Sequence, residues 1–181
     1  MPSYSTSILI LVFGFSFGNS SEVSIAIKNP FENLKQVSEN LYRSEQPKTK
    51  GFMYLEEQRF RTIINLRERQ KDLKYADDRS FIHVHYPIRT WRLDESDILQ
   101  VMSIIKASEG KILIHCKHGS DRTGCMIAAY RVIFEDWSKE KALAELRADE
   151  FGYHEFWFPD IAKLIENLDV EKMRFDLGIS K

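Results

Sequence analysis

The stretch KILIHCKHGSDRTG, residues 111–124, constrains the fold of this 181-residue chain more than any other. Its first five residues hold the apolar run Ile112-Leu113-Ile114 without polar alternation, the pattern of a strand buried on both faces of a parallel sheet. After Cys116 comes a turn containing Gly119, and from Arg122 the apolar residues recur at helical spacing. A buried strand feeding a helix through a tight turn belongs to an α/β architecture, where ligands bind at the carboxyl ends of the strands.

The rest of the chain reads the same way. Residues 41–43 are a short strand ended by Gln46 and Pro47, residues 48–58 a helix, and residues 61–66 a strand. Residues 72–79 are polar and helical in character, and residues 81–86 alternate like a strand before Pro87. Apolar residues at 98, 99, 101, 102, 104 and 105 mark a helix, with Asp94 or Ser96 available as its N-cap. Further helices are expected at 122–135, 138–149 and 159–168. This order of strands and helices with a helical tail predicts an α/β sandwich, a central mainly parallel sheet flanked by helices. No repeat, low-complexity tract or Gly/Ser linker interrupts residues 30–170, so residues 22–181 are expected to form a single domain.

Charge divides the chain unevenly. Residues 1–21 carry no charged side chain, while residues 22–181 hold all 26 basic and 27 acidic ones. Within the uncharged segment, residues 8–17 form an apolar run too short to span a bilayer, which takes about 20 residues. The run matches the apolar region of a secretory signal, with small residues behind it, although no Lys or Arg precedes it. Residues 1–21 are therefore expected to be a signal peptide, cleaved near residues 21–24, and the chain to be periplasmic or secreted. A buried N-terminal strand or retained anchor is the alternative. The net charge of -1 argues against a nucleic-acid surface, and two cysteines exclude a disulfide-dense scaffold or a four-cysteine zinc site. No stable membrane span is expected, and the chain is expected to act as a monomer.

Chemistry concentrates in the turn. Cys116 and Arg122 are separated by five residues, enough for a tight loop that brings both ends onto one anion. Backbone N–H groups of a loop opening into a helix bind phosphate oxygens, aided by the positive end of the helix dipole. Arg122 adds a planar fork that grips two oxygens at once. The same positive field favours the thiolate of Cys116, to which Thr123 can donate its hydroxyl. These elements fit one reaction: the thiolate attacks phosphorus, the loop holds the spread charge, and water releases phosphate from a cysteinyl-phosphate. The alternative is a buried cysteine beside a helix-capping arginine. The Cys-x5-Arg spacing alone is weak, but His115 before the cysteine, Gly119 within the loop, and Thr123 and Gly124 after the arginine make the signal specific.

On these residues the chain resembles the Cys-x5-Arg protein tyrosine and dual-specificity phosphatases, especially small exported bacterial members and atypical fungal and plant ones. The likeness extends to residues 40–47 (NLYRSEQP), residues 62–67 (TIINLR) and the helix ending at Tyr130 and Arg131, and covers roughly residues 35–168. It implies the compact cysteine-phosphatase fold, no metal or other cofactor, and phosphotyrosine or other phosphate monoesters as substrates. By motif position it implies Cys116 as nucleophile and Arg122 as phosphate binder. Lys117, His118, Gly119, Ser120 and Asp121 would supply loop amides, and Thr123 the hydrogen bond to the thiolate.

Two aspartates are candidates for the general acid. Many family members place an Asp in a loop before the preceding helix, but the matching place here holds Trp91. Asp94 is close by, yet residues 94–97 (DESD) read as a helix start. Asp121 stands in the loop itself, as in some bacterial and lipid-directed members, where an acid is an unexpected choice unless it works. Asp121 is the preferred acid, with Asp94 as the alternative.

Other polar residues have bland readings beside the functional ones. His115 is expected to orient the loop from behind, and His83 and His85 to pack rather than bind metal. Cys125 is expected to be a buried apolar residue rather than a resolving thiol. Lys117, His118, Arg89 and Arg92 form either a basic rim or ordinary surface charge, and Arg43 and Arg67 either face the pocket or bridge at the core edge. The competing functions are a phosphoinositide or inositol polyphosphate phosphatase and an impaired phosphate-binding module. A rhodanese-like sulfurtransferase is disfavoured because it does not call for Arg-Thr-Gly at this spacing.

Overall fold

The computed structural model of the chain describes residues 27–76 and 80–179, and a five-stranded sheet lies at its centre. In chain order the elements are β1 (Lys35–Gln36), β2 (Leu41–Ser44), α1 (Thr49–Glu57), β3 (Phe60–Asn65), α2 (Leu73–Ala76) and β4 (Ile82–His85). Then follow α3 (Glu95–Ala107), β5 (Lys111–His115), α4 (Asp121–Phe134), α5 (Lys139–Arg147), α6 (Pro159–Asn167) and α7 (Val170–Asp176). The strands lie in the spatial order β1-β2-β5-β3-β4, with β1 antiparallel to β2 and the other pairings parallel.

The expected α/β sandwich with a mainly parallel sheet is the fold observed. Two of its pieces carry no strong sequence signal. β1 is two exposed residues, so no alternation marks it, and α7 is a separate seven-residue helix within the expected helical tail. Of the polar helix expected over residues 72–79, α2 covers Leu73–Ala76; residues 77–79 lie outside the described residues, as does the apolar leader of residues 1–21.

Burial on both faces explains why the centre of β5, residues 112–114, is apolar without alternation. Ile112 and Ile114 pack into the larger core with Ile98, Val101 and Met102 of α3 and Met126 of α4. Leu113, between them in sequence, faces the other layer with Phe52 and Leu55 of α1 and Ile63 of β3. Each such side chain contributes roughly 1.5–3 kcal/mol when fully buried, so β5 has a strong reason to be central. Among the described residues, no helix is long and apolar enough to cross a membrane.

The register then sets where chemistry can occur. Ser44 of β2 and Asn65 of β3 both pair with His115, so three strands end level. The Leu66 N–H donates to the His115 carbonyl at 2.9 Å and closes this edge. Cys116 is the next residue, delivered to the carboxyl rim of the sheet between two neighbours. Below the rim, α3 opens with a capping box: the Asp94 carboxylate accepts the Asp97 N–H at 3.1 Å, and the Asp97 carboxylate accepts the Asp94 N–H at 3.3 Å.

Candidate active site

Between Cys116 and α4 the chain turns through residues 117–120, and the carbonyls of Lys117, His118 and Gly119 are held by donors from outside the turn. The Cys116 carbonyl lies 3.0 Å from His115 Nδ1, and that of Lys117 accepts the Gln46 N–H at 3.2 Å. The His118 carbonyl accepts Asn33 Nδ2 at 2.8 Å, and that of Gly119 accepts Arg43 Nη2 at 2.7 Å. The Ser120 carbonyl accepts the Gly124 N–H at 2.5 Å, within the first turn of α4. A trans peptide places its N–H opposite its C=O, so carbonyls tied outward leave the amides facing the concave side. Such a nest of N–H groups binds anions. The start of α4 reinforces it, because Ser120 makes no side-chain cap to the orphan N–H groups there.

Gly119 is required by this geometry. Its φ is 75°, and an added Cβ would lie 2.7 Å from the Ser44 carbonyl carbon and oxygen. Only glycine accepts both the left-handed conformation and the close approach to β2.

Behind the loop lies a buried polar network. His115 and Asp72 are both fully buried, with His115 Nε2 3.0 Å from Asp72 Oδ2. Gln46 Nε2 donates to Asp72 Oδ1 at 3.0 Å, Arg67 donates to Gln46 Oε1, and Gln70 Oε1 accepts both Asn65 Nδ2 and the Asp72 N–H. Burial acts to raise the Asp72 pKa, but the hydrogen bond and charge of His115 and the donation from Gln46 outweigh it. The carboxyl is held below its ordinary value. Arg43 is also buried. Desolvation pulls its guanidinium down to about 10 against the opposing pull of Glu145 and Cys116, so it is charged at neutral pH.

The residues singled out in the sequence fall as follows. Cys116 is 2% exposed at the base of the loop. Arg122 Nη1 donates to the Ile88 carbonyl at 3.3 Å and, more weakly, to that of Leu66 at 3.5 Å, while its buried Nε has no hydrogen-bond partner. Ser120 is buried, and Lys117 and His118 stand exposed on the rim. Partial burial and then the Lys117 charge hold the His118 imidazole below its usual pKa.

Thr123 requires a correction. It is fully buried in the first turn of α4, and its hydroxyl makes no hydrogen bond, so the expected donation to the Cys116 sulfur is not formed.

Asp121 opens α4, and its carboxylate accepts the His154 backbone N–H at 2.9 Å, with His154 Nδ1 3.1 Å away. Asp94 is instead engaged as the cap of α3. Trp91 sits 66% exposed in a 3-10 turn, Thr90–Arg92. Arg43 faces the loop, whereas Arg67 joins the network behind it, and Arg89 lies 3.9 Å from Glu68. Cys125 is a fully buried free thiol whose pKa burial pushes up. His83 packs on Phe52 and Phe81, and His85 Nε2 lies 2.7 Å from the Arg67 carbonyl. Among the described residues, no three His, Cys, Asp or Glu side chains form a metal-binding group.

Sequence reasoning missed Asn33, Gln46, Asp72 and His154 as parts of this site. They reach it across 33 to 85 residues of chain, and only Gln46 and Asp72 fall within stretches that carry a sequence signal.

A cysteine and an arginine framing a ring of inward amides, at the carboxyl edge of this sheet, define a cysteine-dependent phosphatase. Residues 37–135 match the family model described as "Polymorphic toxin system, DSP-PTPase phosphatase", and the chain belongs to that DSP-PTPase phosphatase family. It is similar to the dual specificity protein phosphatase TpbA of Pseudomonas aeruginosa, 32% identical over 158 residues that cover 83% of this chain and 69% of that protein. The crystal structure of a cysteine-to-serine variant of P. aeruginosa TpbA in complex with pTyr has a TM-score of 0.75 at 28% identity, covering 82% of this chain and 91% of that one. Inositol diphosphatase DSP3 of Arabidopsis thaliana is 26% identical over 154 residues, covering 80% of this chain and 74% of that protein.

Proposed function

We propose that this phosphatase acts first on phosphotyrosine, through a phosphoenzyme formed on Cys116. The Cys116 thiolate attacks phosphorus, a sulfur–phosphorus bond forms, and the ester oxygen–phosphorus bond breaks. The departing oxygen takes a proton from Asp121. Water then attacks the cysteinyl-phosphate, gives its proton back to Asp121, and releases inorganic phosphate with the thiolate restored. Loop amides and the Arg122 guanidinium hold the equatorial oxygens in both steps. The observation that carries this reading is the buried, unpartnered Nε of Arg122 beside a loop whose Lys117, His118 and Gly119 carbonyls are tied to donors outside it. A buried donor without a protein partner at such a loop suits a bound anion.

Phosphotyrosine as first substrate is supported by the pTyr complex of TpbA. The relation to an inositol diphosphatase makes inositol phosphates the second reading. A small aryl phosphate tests the chemistry: Cys116→Ser should fall to background, and Arg122→Lys should lose roughly 100- to 1,000-fold in kcat. Phosphotyrosyl, phosphoseryl and phosphothreonyl peptides compared with inositol phosphates test the substrate. A preference for inositol phosphates would overturn the phosphotyrosine assignment.

The proposal includes export, with residues 1–21 as the leader of a domain spanning residues 22–181. Its support is the uncharged segment with the apolar run at residues 8–17. Mass spectrometry of natively produced protein should find an N-terminus near residues 19–25. Intact Met1 in the cytosol would overturn it.

A further inference from the structure

A groove of about 680 Å³ meets the phosphate loop at Lys117 and His118 and runs toward the start of α1. That volume lies within the range of ligand clefts, roughly 300–1,000 Å³. We propose that the groove is a subsite for the polypeptide flanking the phosphotyrosine, and that it selects acidic residues there. The proposal rests on the phosphotyrosine reading above and names the substrate surroundings that reading leaves open.

Two properties of the lining carry it. The first is an apolar floor of Phe31, Pro47 and Tyr75. Phe31 is held in place, with its ring edge-on to Tyr54 at 6.2 Å and against Gly51, where an added Cβ would meet it at 3.1 Å. A fixed apolar floor suits side chains of an extended peptide. A polyphosphorylated inositol ring is charged around its rim and has little apolar surface to lay on it.

The second is a set of exposed lysines without ion-pair partners. Lys48, Lys50 and Lys117 line the groove, are exposed, and form no ion pair among the described residues. The first turn of α1 holds no acid to neutralise them. The groove also has two carboxylates. The Glu45 carboxylate accepts the backbone N–H groups of Glu32 and Asn33, at 2.9 and 3.2 Å, and Glu32 is exposed at the edge. Three ammonium groups against two carboxylates leave the groove with an excess of positive charge beside an apolar floor, which complements an acidic peptide segment in both respects.

The test is a set of phosphotyrosyl peptides differing only in the flanking residues, Asp/Glu against Ala or Lys. Wild type should favour the acidic set by roughly tenfold in kcat/KM, and the preference should shrink as salt rises. The double variant Lys48→Glu/Lys50→Glu should lose or reverse the preference and keep wild-type hydrolysis of a small aryl phosphate, which reaches no further than the loop. An acidic preference that survives the double variant would overturn the proposal. So would a double variant that loses inositol polyphosphate turnover while treating all peptides alike. Peptide binding by Cys116→Ser separates the two levels: charge-dependent binding without wild-type aryl phosphate hydrolysis would retain the groove and overturn the catalytic reading.

Discussion

Arg43 Nη2 reaches from β2 to the Gly119 carbonyl at 2.7 Å, while the same guanidinium lies 4.2 Å over the ring of Phe151. A charged group is thus buried to hold one backbone oxygen, 76 residues away in the chain. The cost of burying it makes sense only if the direction of that carbonyl matters, since the carbonyl's outward turn keeps the amides inward.

Arg43→Met should therefore damage both stability and turnover. It leaves the Gly119 oxygen buried without a donor and removes a hydrogen bond from a charged group, a loss of about 2 kcal/mol. Urea unfolding should show the loss, and kcat/KM on a small aryl phosphate should fall at least about tenfold. A variant with normal stability and normal kinetics would show that the loop does not depend on this contact.

Gly119→Ala tests the loop from within. The left-handed φ of 75° costs an L-residue about 1–2 kcal/mol, and the Cβ would overlap the end of β2. The loop must shift to relieve the overlap, and a displacement of about 1 Å costs roughly 100-fold in rate. Steady-state kinetics should show that loss mainly in kcat, with the far-UV spectrum of the folded protein retained.

Asp72 predicts how the fold responds to acid. Its folded pKa lies below the ordinary value of 3.8, so the folded state binds the proton less readily than the unfolded chain. The stabilisation is fully present above that ordinary value and is lost as pH falls through the depressed one. Asp72→Asn should flatten the decline in urea midpoint between about pH 5 and pH 2 and lower the midpoint at neutral pH. An unchanged acid limb in the variant would assign the decline to other carboxylates.

What could be seen in the sequence follows from where each signal is stored. β5 is legible because it is buried on both faces, and α3 because Asp94 and Asp97 form a local capping box. The loop is legible because Cys116 and Arg122 are six positions apart in one unbroken stretch. The outer ties were not, since Asn33, Arg43 and Gln46 acquire their role only when β2 and its flanks lie beside β5. The same holds for Asp72, which looks like one polar residue among many until the fold buries it against His115. Thr123 shows the reverse error: the motif suggested a hydrogen bond to sulfur that this geometry does not form.

Proton transfer to the leaving group separates the two aspartates. Asp121 is adjacent to Arg122 in the loop, and its carboxylate accepts the His154 backbone N–H, with the ring Nδ1 of His154 3.1 Å away. The Asp94 carboxylate caps α3 by accepting the Asp97 N–H, so its structural role is already filled. Asp121→Asn should cost roughly 100-fold in kcat on an alkyl phosphate, whose leaving group needs the proton. On a nitrophenyl phosphate, whose leaving group does not, the loss should be small. His154→Ala should give a smaller loss with the same dependence on leaving group, because the carboxyl remains but is no longer held. Asp94→Ala should cost about 1 kcal/mol of stability through the lost cap and leave both substrates unaffected. If Asp121→Asn keeps wild-type turnover on the alkyl phosphate while Asp94→Asn, which preserves the cap, loses it, the acid is Asp94 and the loop carboxylate serves only to anchor His154.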